Sequence, residues 1–214
     1  NTELLARDLI PVLSYVFLGG TCRHCKSGVS IQYPLVELAT GVLFVALAHK
    51  TIVTQLPLGE LGILLVIFSV LIVLTVYDLR HKIIPNEFVY TFIALAGIVQ
   101  FFYGTPGYWD LLAGPIFFLA FAFLWLVSKG EWMGFGDAKL VLGIGLLLGL
   151  KLGLVALAIA FWSGALLGLF LLSLGRRSLT LKSEIPFAPF LVFGTIVAFF
   201  FATQYPMSSA SFSI

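Results

Sequence analysis

The chain has 214 residues, of which 60% are hydrophobic and 10% charged, with 21 phenylalanines and a formal net charge of +2. That is too apolar for a soluble domain of ordinary composition, and its few cations form no basic stripe for nucleic acid. What remains is an integral membrane protein: an all-α, polytopic helical bundle of about seven spans, with a short cytosolic N-terminal segment.

Residues 1–33 are polar and basic. They begin at Asn1 without a methionine, and no charged-then-apolar leader with a small-residue cleavage site stands at the front, so further residues are expected upstream. Within this segment "TCRHCKSG" places Cys22 and Cys25 in a C-x2-C spacing. A cytosolic location argues against a structural disulfide, and the spacing suits half of a tetrahedral zinc site. Two free thiols are the equal alternative, because the chain has no other cysteine and His24 lies inside the pair.

A first span is expected over 34–48, with Glu37 at its entrance in "YPLVEL". Glu37 is open to a functional role, although an acid at a helix start is the simpler account. The second span, 60–78, ends on Asp78 in "TVYDLRHKIIPN". Spans over 88–103 and 111–128 follow, separated by the turn signal "GTPG". A fifth, 138–150, opens on Asp137 in "MGFGDAKL"; a sixth covers 152–174, and a seventh, 187–204, follows "SEIPFAPF". Most of the uncharged runs approach the roughly 20 residues that a helix needs to cross a bilayer. The expected organisation is therefore a partial cytosolic, cysteine-containing segment over 1–33 and a transmembrane domain over 34–214.

These spans put Arg7, Arg23, Lys26, Arg80, Lys82, Lys129, Lys139, Arg176, Arg177 and Lys182 on one side, and Lys50 and Lys151 on the other. Basic residues gather on the cytosolic side of membrane proteins, so the N-terminal segment is expected to face the cytosol.

Asp78 and Asp137 are 59 positions apart, with two spans between them, so the chain crosses and returns, leaving both on the cytosolic face. Two carboxyls brought close together share a proton, one then serving as general base toward water and the other as acid toward a carbonyl. Such a pair needs no nucleophilic Ser or Cys and no metal. Gly134 and Gly136 would leave room for an extended substrate beside the second acid. Taken singly, each aspartate has an ordinary explanation: Asp78 paired with Arg80, His81 or Lys82, and Asp137 as the N-cap of the fifth helix.

The stretches "DLIPVLSYVFLGGTCRHC", "YPLVELATG", "YDLRHKIIPN", "GFGDAKL" and "IPFAPFL" resemble, in order and spacing, those of bacterial prepilin peptidases, the GxGD-type leader peptidases of type IV pilins and type II secretion pseudopilins. The resemblance runs from residue 8 to about 193. It implies a bacterial inner-membrane aspartic endopeptidase that cuts the basic leader on the cytosolic side. Prepilins, pseudopilins and the lipid bilayer are its implied partners, with no nucleic acid. Asp78 and Asp137 match the family's catalytic aspartates, and Gly134, Gly136 and Lys139 match the loop around the second. Peptidase activity needs no cofactor. N-methylation of the new N-terminus with S-adenosylmethionine, and zinc at Cys22 and Cys25 together with a second C-x2-C, are implied only where the family's upstream region is present. Ala188 stands where the family commonly has glycine. The rivals are a presenilin-like or signal-peptide-peptidase-like protease, which carries P-A-L where this chain reads "PFAPF", and a small proton or ion transporter, in which the acids would lie nearer mid-membrane.

Overall fold

The structure, a computed structural model, describes residues 10–104, 107–173 and 186–201. Arg7, Arg176, Arg177 and Lys182 of the charge pattern lie outside these residues. The described secondary structure is helical: α1 Leu13–Phe17, α2 Gln32–Thr54, α3 Leu58–His81, α4 Asn86–Phe102, α5 Tyr108–Val127, α6 Phe135–Ser173 and α7 Ala188–Phe201. A lone bridge between Thr21 and Gly28 is the extended pairing recorded among them.

Four helices, α2, α3, α5 and α6, are long and apolar enough to cross a membrane, and α4 and α7 are shorter apolar helices. Large apolar side chains on their outer faces are exposed, among them Leu119, Phe123, Leu126 and Trp162. That distribution suits a lipid solvent, in which the helix satisfies its own backbone and needs no polar exterior.

The chain divides into two compact units, Asn1–Val53 and Thr54–Ile214. In the first, the Glu37 carboxylate on α2 accepts a 2.8 Å hydrogen bond from the Val12 N–H, tying the segment ahead of α1 to α2. In the second, α6 packs against α4, α5 and α7, while α3 packs against α4 and α7. Phe68, Ile67, Leu71 and Leu74 of α3, Phe92 of α4 and Ile144 of α6 are fully buried in its core.

Helix ends follow local chemistry. Pro57 and Pro85 precede α3 and α4, where a missing N–H removes nothing the helix needs. α3 closes on Lys82 in a left-handed conformation (φ 54°), whose N–H donates to the Asp78 carbonyl at 2.8 Å. A straight helix of 39 residues, the length of α6, would measure roughly 58 Å, about twice a bilayer core. α6 breaks instead at Gly149, with φ 70° and ψ −174°, a region that only glycine enters freely. Asp110 of α5 holds the break. Its Oδ1 accepts the Leu150 N–H at 3.0 Å and its Oδ2 the Gly107 N–H at 3.3 Å, while its carbonyl takes the Gln100 side-chain amide at 2.8 Å.

The sequence places the boundary between the fifth and sixth helices at Lys151. The structure moves it to Gly149, because backbone conformation rather than charge sets the break.

Candidate active site

Asp78 lies in the last turn of α3 and is 5% exposed. Its Oδ2 accepts a 3.2 Å hydrogen bond from the N–H of Ala188, the first residue of α7. The first N–H groups of a helix have no partner within it, and a carboxylate there also meets the positive end of the helix dipole. Asp78 thus seats the α7 N-terminus, and "PFAPF" enters the site through its backbone. His81 instead stacks on Tyr77, with ring centroids 4.6 Å apart.

Asp137 is the third residue of α6, not the residue ahead of it, and is 7% exposed. Its N–H donates to the Gly134 carbonyl at 3.1 Å, which turns the chain into the helix. Asp78 and Asp137 line one cavity of about 710 Å³. The cavity's walls come from residues 82–84 of the α3–α4 turn, 130–134 of the α5–α6 loop, and 186–187 ahead of α7.

The two glycines of the loop differ. A Cβ on Gly134 would meet only ordinary contacts, 3.7 Å from Asp137 Oδ2, so its missing side chain leaves open space beside the acid. A Cβ on Gly136 would stand 2.8 Å from Ile84 Cβ, so that space is already filled by the α3–α4 turn. Lys139 also lines the cavity, and its ammonium donates to Asn86 Oδ1 at 2.7 Å. Ile84 and Asn86 fall within the stretch "YDLRHKIIPN", but nothing local in it gives these contacts, since both residues act through partners more than 50 positions away.

In the N-terminal unit Cys22 and Cys25 are free thiols on a tight turn. The Cys22 N–H donates to the Ser27 carbonyl at 2.9 Å and the Lys26 N–H to the Cys22 carbonyl at 3.0 Å, with Lys26 at φ 55°. Among the described residues no group of three or more His, Cys, Asp or Glu could hold a metal ion. Two thiols are half of a tetrahedral zinc set, so these residues alone do not fit zinc. Cys25 is nonetheless tuned. The Ser27 hydroxyl, 3.0 Å from its sulfur, followed by the Ser27 backbone and the Cys22 thiol, lowers its pKa to about 7. Alkylation of Cys25 by a neutral haloacetamide, followed by peptide mass spectrometry, is expected to reach half its maximal rate near pH 7. Ser27→Ala should move that midpoint up toward the ordinary thiol value of about 8.5.

Comparison with known proteins accounts for both units. The model of the bacterial Peptidase A24 N-terminal domain matches residues 1–53, which include Cys22, Cys25 and Glu37. The model of the type IV leader peptidase family matches residues 65–169, which include Asp78 and Asp137. A prepilin leader peptidase/N-methyltransferase of Bacillus subtilis is 33% identical over 201 residues, covering 92% of this chain and 77% of that protein. The chain belongs to the type IV leader peptidase family. Proteins of the same name from Burkholderia pseudomallei and Pseudomonas aeruginosa are each 30% identical to it, over 208 and 209 residues. Those matches cover 94% of this chain in both cases, but 65% and 69% of the relatives. No solved structure matches this family member. Membership disfavours the presenilin-like and transporter readings, because the leader peptidase model covers the two aspartates and, of the segments that frame their cavity, the α3–α4 turn and the α5–α6 loop.

Proposed function

We propose that the chain is a membrane-embedded aspartic endopeptidase that removes the leader of type IV prepilins and type II pseudopilins, with Asp78 and Asp137 as its catalytic pair. The observation that carries this is the shared cavity of the two buried aspartates in a chain of the leader peptidase family. The relatives' name supplies the substrate class and adds N-methylation of the product as a second activity. Zinc and S-adenosylmethionine belong to that second activity, and no step of the cleavage runs through them.

One carboxylate accepts a proton from water as the oxygen attacks the scissile carbonyl, and the other carboxyl gives its proton to the carbonyl oxygen. Collapse of the tetrahedral intermediate returns a proton to the carboxylate and delivers one to the departing amine. The pair then stands as it began, and no covalent intermediate forms. Gly134 gives the extended leader room beside Asp137.

In this reading α2, α3, α4, α5, the two halves of α6 and α7 are seven crossings of the bacterial inner membrane. Arg80, Lys82, Lys129 and Lys139 lie at the Asp78 and Asp137 ends of their helices. Lys151 lies by the Gly149 break. By the positive-inside rule the cavity opens to the cytosol.

The experiment is processing of a prepilin by the purified chain in liposomes, read on a gel. Cleavage is expected to persist in EDTA and after both cysteines are alkylated. Loss in EDTA would point to metal-assisted hydrolysis, and loss on alkylation to a thiol nucleophile.

A further inference from the structure

Lys139 follows Asp137 by two residues on α6. At 3.6 residues per turn, two positions are about 200° around the helix, so the two side chains leave on opposite sides. Asp137 lines the cavity with Asp78, and Lys139, although it leaves the helix in a different direction, also borders it. The Lys139 ammonium reaches Asn86, the first residue of α4, at 2.7 Å, and lies 5.3 Å from the Tyr90 ring centroid and 5.2 Å from that of Phe135. Charged donors to neutral acceptors and cations over aromatic faces are among the stronger polar contacts available at a helix surface. Between them Gly136 lies against Ile84 of the α3–α4 turn.

The first turn of a helix has unpartnered N–H groups and frays unless something holds it. Gly134, immediately ahead of α6, has no side-chain oxygen with which to cap it. The rotation of this turn about its axis is therefore set by its contacts with its neighbours: Phe135 against Phe118 and Trp125 of α5, Lys139 on Asn86 of α4, and Gly136 on Ile84 of the α3–α4 turn.

We propose that Asn86 and Lys139, with Ile84 seated on Gly136, form a latch that fixes the rotation of the α6 N-terminus and so aims Asp137 at Asp78. Lys139 is then a positioning residue, and its ammonium serves α4 rather than the substrate. This rests on Asp137 being catalytic.

The test is prepilin processing in liposomes by the wild type, Lys139→Met, Asn86→Ala, their double variant and Lys139→Arg. Misplacement of a reacting group by about 1 Å can cost about 100-fold in rate, so kcat is expected to fall about 10- to 100-fold in each single variant with KM nearly unchanged. The double variant should be no worse than either single one, and Lys139→Arg should keep most of the activity. Unchanged kcat, a rise confined to KM, or losses that multiply would each overturn the latch.

A second readout is independent of activity. In a Cys22→Ser, Cys25→Ser background, Ile84→Cys should label with a water-soluble maleimide several-fold faster once Lys139→Met is added. Equal labelling rates would also overturn the latch. Failure of the wild type to cleave any prepilin would overturn the proposed function instead, leaving the labelling rates to judge the latch alone.

Discussion

Asp78→Asn and Asp137→Asn are each expected to yield a folded membrane protein that processes prepilin at least on the order of a thousandfold more slowly than the wild type. Asparagine keeps the shape of aspartate but neither takes a proton from water nor gives one to a carbonyl. At Asp78 the fold should survive, because the asparagine side-chain oxygen can still accept the Ala188 N–H that seats α7. Asp78→Ala should behave differently. It removes that acceptor and leaves a buried N–H without a partner, at a cost of about 1–3 kcal/mol. Thermal unfolding in detergent, measured beside gel processing in liposomes, separates the two effects: both variants inactive, only the alanine variant less stable. A near-wild-type rate for either asparagine variant would remove that aspartate from the reaction.

Gly145→Ala is expected to have a large effect on the fold. A Cβ there would stand 2.6 Å from the Gly114 N and Cα and 2.7 Å from the Ala113 carbonyl carbon, all of them backbone atoms of α5. Backbone cannot yield as a side-chain tip can, so α5 and α6 would have to separate. Such small residues let helices approach closely in lipid, where no hydrophobic drive between helices remains. Overpacking of this kind costs typically about 1–3 kcal/mol, and contact with three backbone atoms of α5 places this site at the upper end. Because α6 carries Asp137 at its N-terminus, processing should fall along with stability. Gly97→Ala is the control, since nothing lies within 4 Å of its Cβ. Equal melting temperatures for the Gly145→Ala and Gly97→Ala proteins would contradict the packing described.

Much of the architecture was legible because lipid imposes a simple rule: long uncharged runs must be helices that satisfy their own backbone. The expected span over 60–78 is α3, and it runs three residues further because Lys82, in its left-handed conformation, ends it. Asp137 was expected just ahead of its helix. The helix begins at Phe135, since the Gly134 carbonyl already accepts the Asp137 N–H.

Contacts between helices were not legible. Gly136 looked like room for substrate, yet Ile84 fills that space, and no local pattern joins residues so far apart in the chain. Asn86 gave no sign of holding Lys139 for the same reason. Asp110 did have a local signal, since it follows Gly107 by three residues as in a capping box, but its grip on the Leu150 N–H depends on how α5 meets the broken α6. The motifs located the two acids. Their common cavity required the fold.

The most direct test of the account is the position of the cut. Purified chain reconstituted in liposomes is given a full-length prepilin, and the new N-terminus is identified by mass spectrometry. A single new N-terminus is expected at the junction of the basic leader and the apolar helix, immediately after a glycine. A cut inside the apolar helix, or an intact prepilin, would contradict it.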